Sequence, residues 1–110
     1  IINISSVAGI APHGSSIAYA VSKAGLNHLT RCLAVALAPE ILVNCVAPGY
    51  LEGTLMSSKL APEQIHQSVH SSLLGRAANK DDVASQVVEF CRTDSITGQT
   101  LAIDSGRTFH

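Results

Sequence analysis

The chain has 110 residues, room for one domain, and hydrophobic residues make up 46% of it against 14% charged. That composition supports a packed core and excludes a disordered chain. The net charge of −1 leaves no basic stripe, so nucleic acid is excluded as a partner on electrostatic grounds.

The first element is a short strand, Ile1 to Ile4, with no methionine ahead of it. Ser5-Ser6-Val7-Ala8-Gly9 leads into a turn-rich loop through Pro12, Gly14 and Ser16. From about Ile17 to Ala38 the pattern is helical. Leu26, Leu29, Leu33 and Leu37 recur at three- and four-residue steps as a core stripe, and Pro39 ends the run. Ile41 to Ala47 is a second strand, apolar enough to be covered on both faces, and Pro48-Gly49 breaks it.

A second helix begins at Pro62, a residue favoured at the first helical position, with Ile65, Val69 and Leu73 as its apolar stripe. A third starts near Asp81 and Asp82, acids well placed for the helix dipole, with Val83, Ala84, Val87, Val88 and Cys91 facing inward. Gly98 to Asp104 is a turn and a last strand. Strand, helix, strand, helices, strand predicts a parallel α/β sheet. Ligands of such sheets sit beyond the C-terminal ends of the strands, where Ser5-Ser6 and Pro48-Gly49 fall.

Cys32, Cys45 and Cys91 are odd in number and widely spaced, which predicts small buried side chains in a reducing compartment, with neither disulfide nor zinc. No apolar run is long enough to cross a bilayer, so no membrane partner is expected. His66 and His70 have the four-residue spacing of a zinc-protease helix. Gln67 stands where that chemistry needs a glutamate and no third ligand suggests itself, so they are expected on the polar face of a helix.

Tyr19 and Lys23, four apart near the start of the long helix, share one face. A free tyrosine loses its proton only near pH ~10, and a lysine cation close by favours the phenolate. A tyrosine tuned this way serves as a general acid or base on an alcohol/carbonyl pair. Ser6, at the end of the first strand, is placed to hydrogen-bond the same substrate oxygen. The Tyr/Lys spacing alone is common and usually makes no more than a surface pair.

Its context is more specific. Asn3 to Gly9, thirteen positions from Ser6 to Tyr19, and Tyr19-Ala20-Val21-Ser22-Lys23-Ala24-Gly25 together resemble the active-site stretch of the short-chain dehydrogenase/reductase family. Val43-Asn44-Cys45-Val46-Ala47-Pro48-Gly49 resembles that family's strand and nicotinamide-side loop. Gly75-Arg76, Asp82-Val83-Ala84, Thr97-Gly98-Gln99 and Asp104-Ser105-Gly106 follow in the family's order.

The resemblance implies the C-terminal part of a doubly wound, Rossmann-type sheet, with the N-terminal strands outside this sequence and residues 1–110 forming the catalytic and substrate half. It implies an oxidoreductase that interconverts an alcohol and a carbonyl compound, of the 3-oxoacyl carrier-protein reductase type or a broad carbonyl reductase. NAD(H) or NADP(H) would be the cofactor and a small molecule the substrate, in a homodimer or homotetramer at full length. The compartment implied is the cytoplasm or an organelle matrix. Tyr19 would be the acid/base. Lys23 would tune it and, with Tyr19, meet the cofactor at the nicotinamide ribose. Ser6 would hold the substrate oxygen. Pro48, Gly49 and Leu51 would line the nicotinamide, Leu51 through its backbone. His66, His70 and Met56 fall in the stretch that covers the substrate pocket.

Four departures from the family pattern bear on these roles. Gly53 stands where a threonine is usual, which moves the expected cofactor contact to Thr54. Leu42 replaces a common basic residue. The connection from Phe90 to Thr97 is short, predicting a tight or strained turn, and Ser105 replaces the first of two closing glycines. The sequence holds no glycine-rich pyrophosphate turn, and neither the residue that selects NAD over NADP nor the family's catalytic asparagine. The expected alternative is therefore a truncated, inactive fragment that acts as a structural or interaction partner.

Overall fold

Six principal elements follow from where the sequence starts and stops its periodic runs. The computed structural model describes residues 1–109. They form β1 (Ile2–Ile4), α1 (Ile17–Leu37), β2 (Asn44–Pro48), α2 (Pro62–His70), α3 (Lys80–Arg92) and β3 (Thr100–Ile103), with single 3₁₀ turns at Val7–Gly9 and Ser57–Lys59. The strands lie in chain order and all pair in parallel: Ile2 opposite Asn44, and Cys45 opposite Thr100. This is the α/β architecture expected of part of a Rossmann-type sheet.

Each helix begins at a recognisable cap. Ser16 Oγ accepts from the Tyr19 N–H at 3.2 Å, and Asn79 Oδ1 accepts from the Asp81 N–H at 2.7 Å. α2 opens with Pro62, and Gln64 Oε1 accepts from the Ala61 N–H at 2.9 Å. α1 stops where Pro39, with no N–H to donate, follows Ala38.

β2 is central and every one of its residues is buried. It is shorter than expected at its start, because Ile41 to Val43 precede the ladder, and it runs one residue further, through Pro48. Side chains alternate across it. Val46 joins Val83 and Phe90 of α3, with Ile2, Val87, Ile96 and Ile103 packed around them. Cys45 lies on the other side, its Sγ 3.7 Å from Asn27 Oδ1 of α1.

The inner faces of the helices differ from the expected stripes. On α1 the buried residues are Asn27, Thr30 and Ala34, while Leu26, Leu33 and Leu37 flank them half-buried and Leu29 is exposed. Polar residues can take the inner face because each has a partner. Asn27 Nδ2 donates to the Gly9 carbonyl at 3.2 Å, and Thr30 Oγ1 donates to the Leu26 carbonyl and accepts from Asn3 Nδ2. On α3, Phe90 is buried with Val83, whereas Ala84, Val88 and Cys91 face outward. α2 ends at His70, before Leu73, and buries no residue. Of the three cysteines only Cys45 is buried; Cys32 and Cys91 are exposed, against the expectation of three buried side chains.

The short α3–β3 connection is tight and is bonded throughout. Val43 N–H donates to Thr97 Oγ1 at 3.0 Å, and Gly98 N–H donates to the Val43 carbonyl at 2.7 Å. Asn44, fully buried, donates to the Ile96 carbonyl and accepts from the Gln99 N–H. Gly98, with φ of 73°, takes the left-handed conformation that such a turn requires. The Ser105 departure has a different consequence. Among the described residues it alone is a non-glycine with positive φ, at 57°, beside Gly106 at 78°.

Two stability changes follow. Phe90 is 6% exposed and Val88 47%. In urea unfolding, Phe90→Ala should cost about 3–5 kcal/mol and Val88→Ala within about 0.5 kcal/mol; equal losses would contradict this assignment of the core. Ser105→Gly removes a left-handed cost of about 1–2 kcal/mol and adds about 0.5–1 kcal/mol of unfolded-state entropy. The net expectation is a gain of about 0.5–1 kcal/mol, seen as a raised Tm; a lowered Tm would refute it.

Candidate active site

The chain leaves the sheet at the C-terminal end of β1 and is fastened at once to α1. Ser5 extends the ladder by one bond, its N–H donating to the Val46 carbonyl at 2.8 Å, and its buried hydroxyl donates to the Lys23 carbonyl at 3.1 Å. Ser6 is extended, and its Oγ accepts from the Ala8 N–H at 3.1 Å, capping the Val7–Gly9 turn. That contact uses a lone pair and leaves the Ser6 O–H free to donate.

Gly9 then lies against the helix backbone itself. A Cβ there would sit 2.6 Å from the Lys23 carbonyl carbon and 2.8 Å from the Ala24 nitrogen, so only glycine allows this approach. The Asn27 amide closes the contact by donating to the Gly9 carbonyl. The loop that carries Ser6 is thus pinned to the helical turn that carries Lys23.

Tyr19 and Lys23 are both half-buried, and the Lys23 ammonium lies 5.6 Å from the centre of the Tyr19 ring. Lys23 Nζ donates to the Ile4 carbonyl at 3.1 Å, which places it at the mouth of β1. An ammonium has three donors, so two remain for a ligand. Tyr19 and Lys23 are therefore brought together, and Lys23 is brought to the Ile4–Ser6 segment. Ser6 and Tyr19 share no hydrogen bond.

The second strand end supplies the other wall. Gly49 continues the ladder, its N–H donating to the Ile103 carbonyl at 2.9 Å, and a Cβ there would sit 2.7 Å from the Asp104 Cβ. Pro48 is buried at the end of β2. Leu51 forms an isolated parallel bridge with Ala78 and packs against the core. Thr54 is held in a local turn: its Oγ1 is 3.0 Å from Ser57 Oγ and accepts from the Ser57 N–H at 3.1 Å. Neither Leu51 nor Thr54 hydrogen-bonds Ser6, Tyr19 or Lys23.

Pairing and spacing alone do not single out Ser5, Gly9 or Asn27 as shaping the site. For Gly9 the available signal is its place at the end of Ser5-Ser6-Val7-Ala8-Gly9; for Asn27 it is an amide one turn beyond Lys23. Two clefts open on the surface, the first of them against Gly9 and Asn27. One, of about 310 Å³, runs between α1 and β3 past Asn27, Arg31 and Thr100, and the buried Thr100 Oγ1 beside it has no partner. The other, of about 280 Å³, is lined by Arg76, Asp82 and Asp104 among others. Neither includes Ser6, Tyr19 or Lys23. No group of three or more metal-ligating side chains occurs among the described residues, and no described helix is long and apolar enough to cross a membrane.

Comparison with known proteins places the chain in a family. A family model described as enoyl-(acyl carrier protein) reductase matches residues 1–108. The short-chain dehydrogenase/reductase homolog YusR of Bacillus subtilis is 44% identical over 108 residues, spanning 98% of this chain and 82% of that protein. The 3-oxoacyl-[acyl-carrier-protein] reductase FabG of Thermotoga maritima is 42% identical over 111 residues, spanning 96% of this chain and 44% of that protein. Of the solved structures, 3-oxoacyl-[acyl-carrier protein] reductase from Brucella melitensis superposes with a TM-score of 0.89 at 32% identity, covering 99% of this chain and 42% of that one. A short chain dehydrogenase from Leptospira borgpetersenii with bound NAD+ superposes with a TM-score of 0.83 at 30% identity, covering 99% of this chain and 44% of that one. The chain thus spans most of YusR but less than half the length of the reductases it matches. It belongs to the short-chain dehydrogenase/reductase family.

Proposed function

We propose that residues 1–110 form the catalytic half of an NAD(P)-dependent oxidoreductase that interconverts an alcohol and a ketone or aldehyde. The observation that carries this reading is the Lys23 ammonium, 5.6 Å from the Tyr19 ring and hydrogen-bonded to the Ile4 carbonyl, two residues before Ser6.

The residues present suit the nicotinamide end of a dinucleotide. Lys23 keeps two free N–H donors for ribose hydroxyls, and Pro48 and Gly49 sit at the end of β2, in the crevice where open α/β sheets bind ligands. Leu51 would meet the carboxamide through its backbone. Thr54 would contribute from its turn with Ser57. When bound, the cofactor supplies or accepts the hydride. Ser6 donates a hydrogen bond to the substrate oxygen and holds it. Tyr19 gives its phenolic proton to that oxygen in reduction and takes it back in oxidation. Lys23 fixes the charge beside the phenol and, with Tyr19, positions the ribose.

The names of the relatives support a 3-oxoacyl thioester on a carrier protein, or a broader set of carbonyl compounds, as substrate. Either NAD(H) or NADP(H) satisfies the residues present, and at full length a homodimer or homotetramer is the expected assembly.

Titration with NADPH and NADH, followed by nicotinamide fluorescence, tests this reading. Saturable binding is expected, together with reduction of a 3-oxoacyl thioester that Tyr19→Phe slows by about 10²–10⁴-fold. Absence of binding to both cofactors would count against it. Gly9→Ala tests how the site is held. Its Cβ would enter the Lys23–Ala24 backbone, so a stability loss of about 1–3 kcal/mol and a lower kcat are expected; an unchanged Tm and kcat would show that the approach is not needed.

A further inference from the structure

We propose that α2 carries a two-imidazole chelate for a divalent transition cation of the copper, nickel and zinc class, formed by His66 and His70. This inference is independent of the oxidoreductase reading. Both histidines are exposed, one helical turn apart, with ring centroids 5.9 Å apart and planes only 12° from parallel. Side chains at this spacing start from Cβ atoms about 5–6 Å apart. Two imidazole nitrogens on one ion, each ~2.0–2.1 Å from it, lie roughly 3 Å from each other. Small rotations about the free side-chain bonds of two exposed residues close that difference.

The rest of the helix leaves the pair available. Gln64 is occupied in capping Ala61, and Ser68 faces Arg107, whose Nη1 is 3.5 Å from its Oγ. No third histidine, cysteine or carboxylate joins the pair among the described residues, so the site is an open one with two protein ligands. That excludes a closed structural zinc site and the peptidase arrangement whose spacing it shares. Imidazole selects zinc, copper and nickel over magnesium and calcium, and the order of stability places Cu²⁺ above Ni²⁺ and Zn²⁺.

The helix itself gives the chelate a consequence. α2 has nine residues and buries none of them, and isolated helices below ~12–15 residues are marginal in water. An ion chelated across one helical turn binds the helical state more tightly than the unfolded one, so it stabilises α2 by mass action. Cation binding would therefore order the segment that lies between the nicotinamide-side loop and α3.

Calorimetric titration of the chain with Cu²⁺, Ni²⁺, Zn²⁺ and Mg²⁺ tests the proposal. One equivalent of Cu²⁺ should bind most tightly and Mg²⁺ not at all. Affinity should fall at least about tenfold in His66→Ala and in His70→Ala, because either change leaves a single ligand without the chelate's effective concentration. His13→Ala and His28→Ala should bind like the parent chain. Saturating Zn²⁺ should slow amide hydrogen exchange across Pro62–His70 in the parent and leave it unchanged in the double variant. Undiminished affinity in either single variant, or in the double variant, would assign the ion to other side chains, the exposed Cys32 and Cys91 included, and overturn the proposal. So would unchanged exchange across α2 at saturation.

Discussion

The close approach of Gly9 to the Lys23–Ala24 backbone is the constraint on which the rest of the site depends. A Cβ on Gly9 would fall within 3.0 Å of that backbone, so the contact fixes where the helix crosses the loop and leaves no room for a side chain. Ser5 and Asn27 then hold the same crossing from either side, through the Lys23 and Gly9 carbonyls. Lys23 is held at both of its ends. Its carbonyl accepts from Ser5, and its ammonium donates to Ile4, the residue before Ser5. A lysine side chain freezes out about 1.5–2 kcal/mol of rotamer entropy when fixed, and here the ammonium is anchored by strand backbone. The placement of Tyr19 and Lys23 is therefore set by how α1 seats on the end of β1.

That seating relies on a strand that has little freedom of its own. β2 is buried along its whole length, between α1 on one face and α3 on the other, and its first residue closes the far end of the domain. Asn44 ties the strand to Ile96 and Gln99, so the short α3–β3 connection needs no long loop to satisfy its backbone. At the opposite end, Ser5 joins β1 to Val46 while Gly49 joins β2 to Ile103. Both strand ends that face the ligand crevice are thus extensions of one hydrogen-bonded ladder.

Much of this is legible in the sequence because it is local. Helix starts follow from the end of the turn-rich loop at Ser16, from Pro62 and from the acids Asp81 and Asp82, and the parallel order follows from alternation of strand and helix. The candidate catalytic residues follow from ordered motifs that have no simpler explanation together. The inner faces are less legible because hydrophobicity is a poor guide where polar groups find partners. Asn27 and Thr30 outrank the leucines on α1 only because Gly9 and Asn3 are there to meet them across the fold. Phe90 does not stand out on α3 because the small and branched residues beside it make an equally regular stripe. Ser105 is a visible departure from the family pattern, yet its cost emerges only in its positive φ.

The segment between Leu51 and Ala78 stands apart from this framework. It is fastened at one end by the bridge between those two residues, and at the other by Leu73 and Leu74, whose N–H groups donate to the Gly106 and Ser105 carbonyls. Between these fastenings Thr54 and Ser57 satisfy each other, Ser72 bonds Val69 and Arg76, and α2 buries nothing. Polar groups there are satisfied by near neighbours, so sequence change within the segment need not reach the Gly9 crossing. Strand ends that hold the candidate catalytic groups, beside a segment bonded mostly within itself, are the physical condition for one fold to serve many substrates. In this chain the division falls between residues held by backbone contacts across the sheet and residues held only by their own turn.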